Sequence, residues 1–236
     1  FVALPAGLLD AGYLATRRKL IGSDKALSTP VKHGEPQQRA HLDFGVDETL
    51  EAAGTSHLSI VDGDGNAVSM TTTIESAFGS RVMAAGFLLN NELTDFSFRP
   101  ADAEGRAIAN RVEGGKRPRS SMSPTLVFDE GGRLKAVLGS PGGSRIILYA
   151  IKTTVALIDW RLNAQEAAAL TNFGSQNGPL EIEPGWRTSF IGLRLSWRGQ
   201  EFRTASMTSG IHVIVVANGR IEGGADPRRE GAALGD

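Results

Sequence analysis

The 236-residue sequence contains no cysteine. Disulfides, thiolate metal sites and thiol nucleophiles are therefore excluded, the redox compartment stays open, and any catalysis must use oxygen or nitrogen groups. Neither sign of charge is in excess: 25 Lys and Arg stand against 26 Asp and Glu, a formal net charge of −1. Without a basic surplus, no nucleic acid and no anionic membrane is expected as a partner. There is also no uncharged apolar run of about 18 residues, so no membrane span is expected; the nearest stretch, residues 146–160, is broken by Lys152 and Asp159. The four histidines, His33, His41, His57 and His212, stand apart in the sequence without a companion at metal-ligand spacing. Each reads as a surface or structurally satisfied residue, and no metal is assigned. The first twenty residues lack a basic n-region and carry Asp10 early, a poor match to a signal peptide. A start on Phe1 reads as part of something longer, and localisation is left open.

What is present is glycine, 29 residues without a period, placed as punctuation between patterned segments. Residues 6–22 carry Leu8, Leu9, Tyr13, Leu14 and Leu20 at mostly helical spacing with Arg17, Arg18 and Lys19 towards the end, which predicts one amphipathic helix. From Ser23 to Gly54 the chain is polar and aperiodic, a linker, and a boundary is expected near residue 54. "TSHLSIV" and "AVSMTTT" then alternate as strands around "DGDGN", which supplies a tight hairpin turn. "GFLLNN" predicts another strand, and "PTLVFDEGGRLKAVLGS" a hairpin turning at Gly131 and Gly132. "GGSRIILYAIKTTVALIDWRL" predicts a long buried helix, "NAQEAAAL" a short one capped by Asn163, and "RTSFIGLRLSW" a further helix. "GIHVIVVANGRIEGGADPRRE" closes with a hairpin turning on Asn218 and Gly219. The order predicts an α+β fold with helices laid over antiparallel sheets.

Several chemical motifs fail. "DGDGNAV" begins like a calcium loop but has Ala67 and Thr73 where a glycine and a bidentate glutamate are required. "GSPGGSRI" is neither a phosphate-binding loop with its lysine nor a dinucleotide fingerprint, and no G-x-S-x-G elbow exists. That segment does place Gly142 and Gly143 between a strand end and a helix start, where unpaired amides can converge on an oxyanion. The same pair could equally do no more than permit a sharp turn. Thr55 heads a strand behind a glycine and a loose segment. A threonine hydroxyl is a weak nucleophile unless a base takes its proton, and an N-terminal threonine, exposed by cleavage after Gly54, carries such a base in its own α-amine, pKa near ~8.

"TSHLSIVDGDGNAVSMTTTI", "GFLLNNELTDFS", "KRPRSSMSPTLV", "GSPGGSRII" and "GGADPRREG" resemble, in order and spacing, the motifs of the γ-glutamyltransferase (γ-glutamyltranspeptidase) family of N-terminal nucleophile (Ntn) hydrolases. The resemblance implies an αββα sandwich of antiparallel sheets flanked by helices, of which this chain holds the C-terminal part. It implies a zymogen that cuts itself at Gly54–Thr55, with residues 1–54 as the tail of the large subunit and 55–236 as the small, catalytic subunit. It makes Thr55 the nucleophile and Thr73 the threonine that orients it. Glu75, Glu92 and Asp95 become contacts for the amino-acid end of the substrate, Ser120 and Ser121 hold its carboxylate, and Gly142 and Gly143 form the oxyanion hole. Read without the family, Glu92 and Asp95 could be a solvated turn and the serines a capped loop. The implied reaction is γ-glutamyl transfer or hydrolysis on glutathione-like substrates through a threonine ester, with no cofactor. The remainder of the large subunit is the implied partner, bringing a carboxylate-binding arginine from upstream. The alternatives are a cephalosporin or glutaryl acylase of the same superfamily and a non-catalytic relative that binds without cleavage.

Overall fold

The computed structural model describes residues 6–36, 44–49, 54–217 and 219–235. In chain order the elements begin with α1 (Ala11–Arg18), β1 (Thr55–Val61), β2 (Ala67–Thr73), β3 (Met83–Ala84) and β4 (Phe87–Leu88). Next come β5 (Thr125–Phe128), β6 (Leu134–Gly139), α2 (Ile146–Ile158) and α3 (Ala164–Ala169). The chain ends with β7 (Phe173–Gly174), β8 (Leu180–Ile182), α4 (Trp186–Ser196), β9 (Phe202–Thr204), β10 (His212–Ala217) and β11 (Arg220–Ala225). Single 3-10 turns lie at Glu92–Asp95 and Gly143–Arg145. Two compact units divide these elements, one of residues 1–49, 96–118 and 173–206, the other of residues 50–95, 119–172 and 207–236.

In the second unit, β5, β6, β10 and β11 form an antiparallel sheet in the order β11-β10-β6-β5. Side chains of successive strand residues point to opposite faces. A Cβ on Gly224 would meet the backbone of Ala164 in α3, and Gly224, Val213 and Leu138 are in register across β11, β10 and β6. That face therefore looks towards the helices. A Cβ on Gly139, one residue on, would sit 2.2 Å from the ring of His57 in β1, so the other face looks towards the β1–β2 hairpin. The central strand β6 is covered on both sides, which explains why Ala136, Val137 and Leu138 are all buried although their side chains alternate. Three layers result: hairpin, four-stranded sheet, helices.

Turn chemistry sets the hairpin register. Asp62 Oδ1 accepts the amides of Asp64 and Asn66, its Oδ2 accepts the Asn66 side-chain amide, and Gly65 takes a φ of +83°. The loop that begins like a calcium site is thus closed by its own aspartate. α2 buries Ile146, Tyr149, Ala150, Lys152, Thr153 and Ala156, whereas Ile147, Ile151 and Ile158 are exposed. The predicted long buried helix is therefore shorter, and one apolar face is uncovered. α3 is capped as expected: Asn163 accepts the Glu166 amide while Glu166 reaches back to the Asn163 amide, an arrangement that contributes about 1 kcal/mol.

In the first unit the helix expected over residues 6–22 shortens to α1, because Asp10 caps its start by accepting the Tyr13 amide and the chain leaves helical geometry after Lys19. In the second unit, the strand expected at "GFLLNN" is only two residues long and pairs with β3 around Ala85 and Gly86, both at positive φ; in the first, β8 pairs antiparallel with β7 and parallel with β9, so the sheets are not all antiparallel. The turn residue Asn218 and the histidine His41 lie outside the described residues.

Candidate active site

Thr55 is the first residue of β1, is buried, and faces Thr73, the last residue of β2. Because the pairing is antiparallel and in register, Thr55, His57 and Ser59 share one face with Thr73, Thr71 and Ser69. Those three successive pairs are polar, and the face turns apolar only at the Val61–Ala67 pair beside the turn. Ser69 Oγ donates to the Leu138 carbonyl (2.9 Å) and accepts the Thr125 amide (3.1 Å), fastening the hairpin across β5 and β6.

At the open end of the hairpin, Thr73 Oγ1 accepts the Glu75 amide at 2.9 Å and donates to the Gly54 carbonyl at 3.4 Å. The hydroxyl facing Thr55 thus touches the carbonyl of the Gly54–Thr55 peptide. Gly54 passes so close to the Glu75 backbone that a Cβ would lie 1.8 Å from the Glu75 carbonyl oxygen. Glu75 itself is buried with φ +71°, a conformation costly for a residue with a side chain and common where a site over-determines it. Its Oε2 accepts Ser76 Oγ (2.6 Å) and the side-chain amide of Asn91.

Asn91, to which the sequence motifs assigned no role, braces this candidate site. Its Oδ1 accepts the Ser76 amide (3.0 Å) and its own amide donates to the Ile74 carbonyl (3.2 Å), tying residues 74–76 to the turn that follows. In that turn Glu92 and Asp95 stand three apart on a 3-10 helix, where residues i and i+3 eclipse. Asp95 is buried, and Glu92 Oε1 is buried with no hydrogen-bond partner. Burial, and then the charges of Asp95 and Glu75, raise the Glu92 carboxyl above the usual carboxylate range. Glu92 therefore lies within electrostatic reach of two other carboxylates, an environment that favours a cation. Among the described residues they do not form a group able to hold a metal ion.

Ser120 and Ser121 lie in the extended segment leading into β5; Ser120 Oγ accepts the Met122 amide and is exposed, and Ser121 is half-buried. Gly142 (φ +140°) and Gly143 (φ +57°) open the 3-10 turn ahead of α2, so their amides belong to a first turn with no intrahelical acceptor. The histidines are not all apart. The rings of His57 and His212 are 6.3 Å between centroids, and His212 Nδ1 bonds the His57 carbonyl at 2.7 Å. His57 bonds Thr71 Oγ1 (2.8 Å) and Ser59 Oγ (3.2 Å), and burial together with His212 lowers its pKa to about 4.

The family model of gamma-glutamyltranspeptidase matches residues 1–236. The chain belongs to the gamma-glutamyltranspeptidase family. It is 37% identical to the glutathione hydrolase proenzyme of Pseudomonas sp. (strain A14), over 100% of this chain and 42% of that protein. It is 33% identical to the acylase ACY 1 proenzyme of another Pseudomonas strain, over 99% of this chain and 39% of that protein. A crystallised mutant of Helicobacter pylori gamma-glutamyltranspeptidase matches with a TM-score of 0.65 and 36% identity, covering 74% of this chain and 100% of that one. The sheets and flanking helices are part of the Ntn-hydrolase fold expected from the sequence motifs. The chain spans about 40% of the length of these two curated relatives. Among the described residues no helix is long and apolar enough to cross a membrane.

Proposed function

We propose that the complete protein is a self-processing γ-glutamyltransferase that also hydrolyses glutathione-like γ-glutamyl amides. The observation that carries this reading is the junction itself: Thr73 Oγ1, the hydroxyl facing Thr55, donates to the Gly54 carbonyl, and residues 74–76, with Glu75, are tied to the Glu92–Asp95 turn through Asn91. In maturation, the Thr55 hydroxyl adds to the Gly54 carbonyl, which Thr73 Oγ1 polarises; the amide nitrogen leaves with a proton, and water hydrolyses the resulting ester. Residues 1–54 then end the large subunit, and Thr55 begins the small one with a free α-amine.

In turnover that amine takes the proton as the Thr55 hydroxyl attacks the γ-amide carbonyl. The Gly142 and Gly143 amides receive the developing oxyanion. The leaving amine departs with the proton, and water or the amine of an amino acid or dipeptide resolves the γ-glutamyl ester. Glu75, Glu92 and Asp95 suit the α-ammonium of the donor, and Ser120 and Ser121 its α-carboxylate. Glu92, Asp95, Ser120 and Ser121 suit an α-amino-acid end that an acylase's acyl group need not carry, which favours a γ-glutamyl donor over the acylase chemistry named for one relative.

The test is the intact mass of the full-length precursor after incubation at neutral pH. A fragment beginning at Thr55 is expected, together with release of amine from γ-glutamyl p-nitroanilide. A folded precursor that stays uncut would overturn the reading in favour of a relative that binds without turnover.

A further inference from the structure

Resting on that reading, we propose that Ser140 is a positioning residue that aims the Gly142 amide at the oxyanion. Ser140 follows β6 and is fully buried. Its Oγ donates to the Pro141 carbonyl at 2.7 Å and accepts the Gly210 amide at 3.2 Å. The Pro141 carbonyl and the Gly142 N–H belong to one planar peptide and point to opposite sides of it. Fixing the carbonyl therefore fixes the direction of the amide. The next peptide plane is held from the other side, since the Gly142 carbonyl accepts the Arg145 amide at 3.3 Å, which orients the Gly143 N–H.

The plane needs holding because glycine opposes its rotation only weakly. Gly142 is also the one residue that fits: a Cβ there would lie 2.5 Å from the buried ring of Tyr149. The chain thus keeps a residue that cannot hold its own conformation and stabilises it through a neighbour.

Gly210, the other partner of Ser140, sits in a segment anchored by buried polar groups. Asn172 Nδ2 donates to the Met207 carbonyl (3.3 Å) and to Ser209 Oγ (2.7 Å). Ser209 Oγ donates to Asp226 Oδ2, which also accepts the Ile211 amide at 3.2 Å. Asn172 Oδ1 accepts Lys152 Nζ at 2.8 Å, and Lys152 lies on α2, the helix that the glycine turn opens. Strand end, turn and helix are joined through Ser140 at one end and Lys152 at the other. A buried network satisfied in this way specifies a single geometry.

The experiment compares Ser140→Ala with wild type in the full-length, processed protein. Misaimed catalytic groups cost on the order of 10- to 100-fold. The expected result is a kcat lowered by roughly that factor with KM for γ-glutamyl p-nitroanilide and the inhibition constant of L-glutamate unchanged. Affinity for a γ-glutamyl boronate, which forms a tetrahedral adduct on the nucleophile, should fall by the same factor as kcat/KM. Wild-type kcat in the variant, or parallel loss of glutamate affinity and kcat, would overturn the assignment. If Ser140→Ala does not mature, Ser140→Cys, similar in size and weak in hydrogen bonding, carries the same comparison. A folded wild type without γ-glutamyl turnover would sink both readings, whereas an active wild type with an unaffected Ser140→Ala sinks this one alone.

Discussion

The Gly54 carbonyl accepts its hydrogen bond from Thr73, the residue that faces Thr55 across the hairpin. In the proposed maturation, a hydroxyl there polarises the carbonyl that the Thr55 hydroxyl attacks, and after cleavage it stays beside the new N-terminus. Thr55→Ala in the full-length precursor should abolish both self-cleavage and turnover. Thr73→Val keeps the branched shape and removes the donor, so cleavage should slow by about 10- to 100-fold. The fraction of intact precursor against time on a denaturing gel reads both. Cleavage of Thr73→Val at the wild-type rate would show that the hydroxyl orients nothing.

Under the proposed function, Glu92 joins substrate binding to a cost in stability. Its carboxyl is raised in the fold by burial and then by Asp95 and Glu75. An acid raised in the folded state contributes stability below its unfolded pKa and loses it as pH rises through the folded value, so at pH 7 the ionised Glu92 is destabilising. Glu92→Gln should therefore raise Tm at pH 7 while raising KM for γ-glutamyl donors roughly tenfold or more, for a charged contact worth ~1.5 to 3 kcal/mol. In the wild type, KM should begin to climb on acidification above the ordinary glutamate value of about 4.3. Scanning calorimetry and initial rates across pH check the two halves separately. A lowered Tm together with an unchanged KM would remove Glu92 from the site.

His57 gives the fold an acid-sensitive point. Its pKa is lowered to about 4, first by burial and then by His212, and the neutral ring lies against Gly139 with Thr71 and Ser59 at its nitrogens. The unfolded chain binds this proton near the ordinary value of about 6.5, so stability should fall as pH drops from about 6.5 towards about 4 and stay level above that window. His212, from β10, is the titratable group that faces this ring. His57→Gln should flatten this slope of Tm against pH. An unchanged slope would assign the acid sensitivity elsewhere.

Much of this architecture was legible because it is local. The alternation of residues 55–73 around "DGDGN" leads directly to the Thr55–Thr73 register, and Asn163 with Glu166 spells a helix start within four residues. What was not legible is long-range. His57 and His212 are brought within 6.3 Å by a hairpin stacked on a sheet, and no spacing in the sequence encodes that approach. The pairing of β8 with β9 across α4 is hidden in the same way. Glu92 and Asp95 drew a substrate role only from the motif around them, because two carboxylates three apart read equally well as a solvated turn. Asn91 stood inside a quoted motif yet drew no role, because its function is to hold Glu75 rather than to carry charge.

Asn91→Ala tests that holding role. It removes the side-chain donor from Glu75 Oε2 and the acceptor of the Ser76 amide. Glu75 would then be a buried carboxylate at positive φ held only by Ser76. KM for the γ-glutamyl donor should rise several-fold, and Asn91→Asp, which keeps the acceptor but adds a fourth carboxylate, should be worse than alanine. Steady-state kinetics on processed protein decide it, and the reverse order of the two variants would contradict the clamp.

In the proposed maturation, the requirement at Gly54 is steric. A Cβ would lie 1.8 Å from the Glu75 carbonyl oxygen and 2.8 Å from the carbon that bears it. Both are backbone atoms, so no side-chain rotation relieves the overlap. Gly54→Ala must push residues 54 and 75 apart, which stretches the 3.4 Å contact between Thr73 Oγ1 and the Gly54 carbonyl. Because that contact matters only while the peptide is whole, the variant should accumulate uncut precursor. The portion that does cut should turn over substrate at the wild-type rate, since residue 54 then ends the other subunit. Active-site titration of the processed fraction separates the two effects. A fully cut variant with reduced kcat would instead place Gly54 in the turnover pocket.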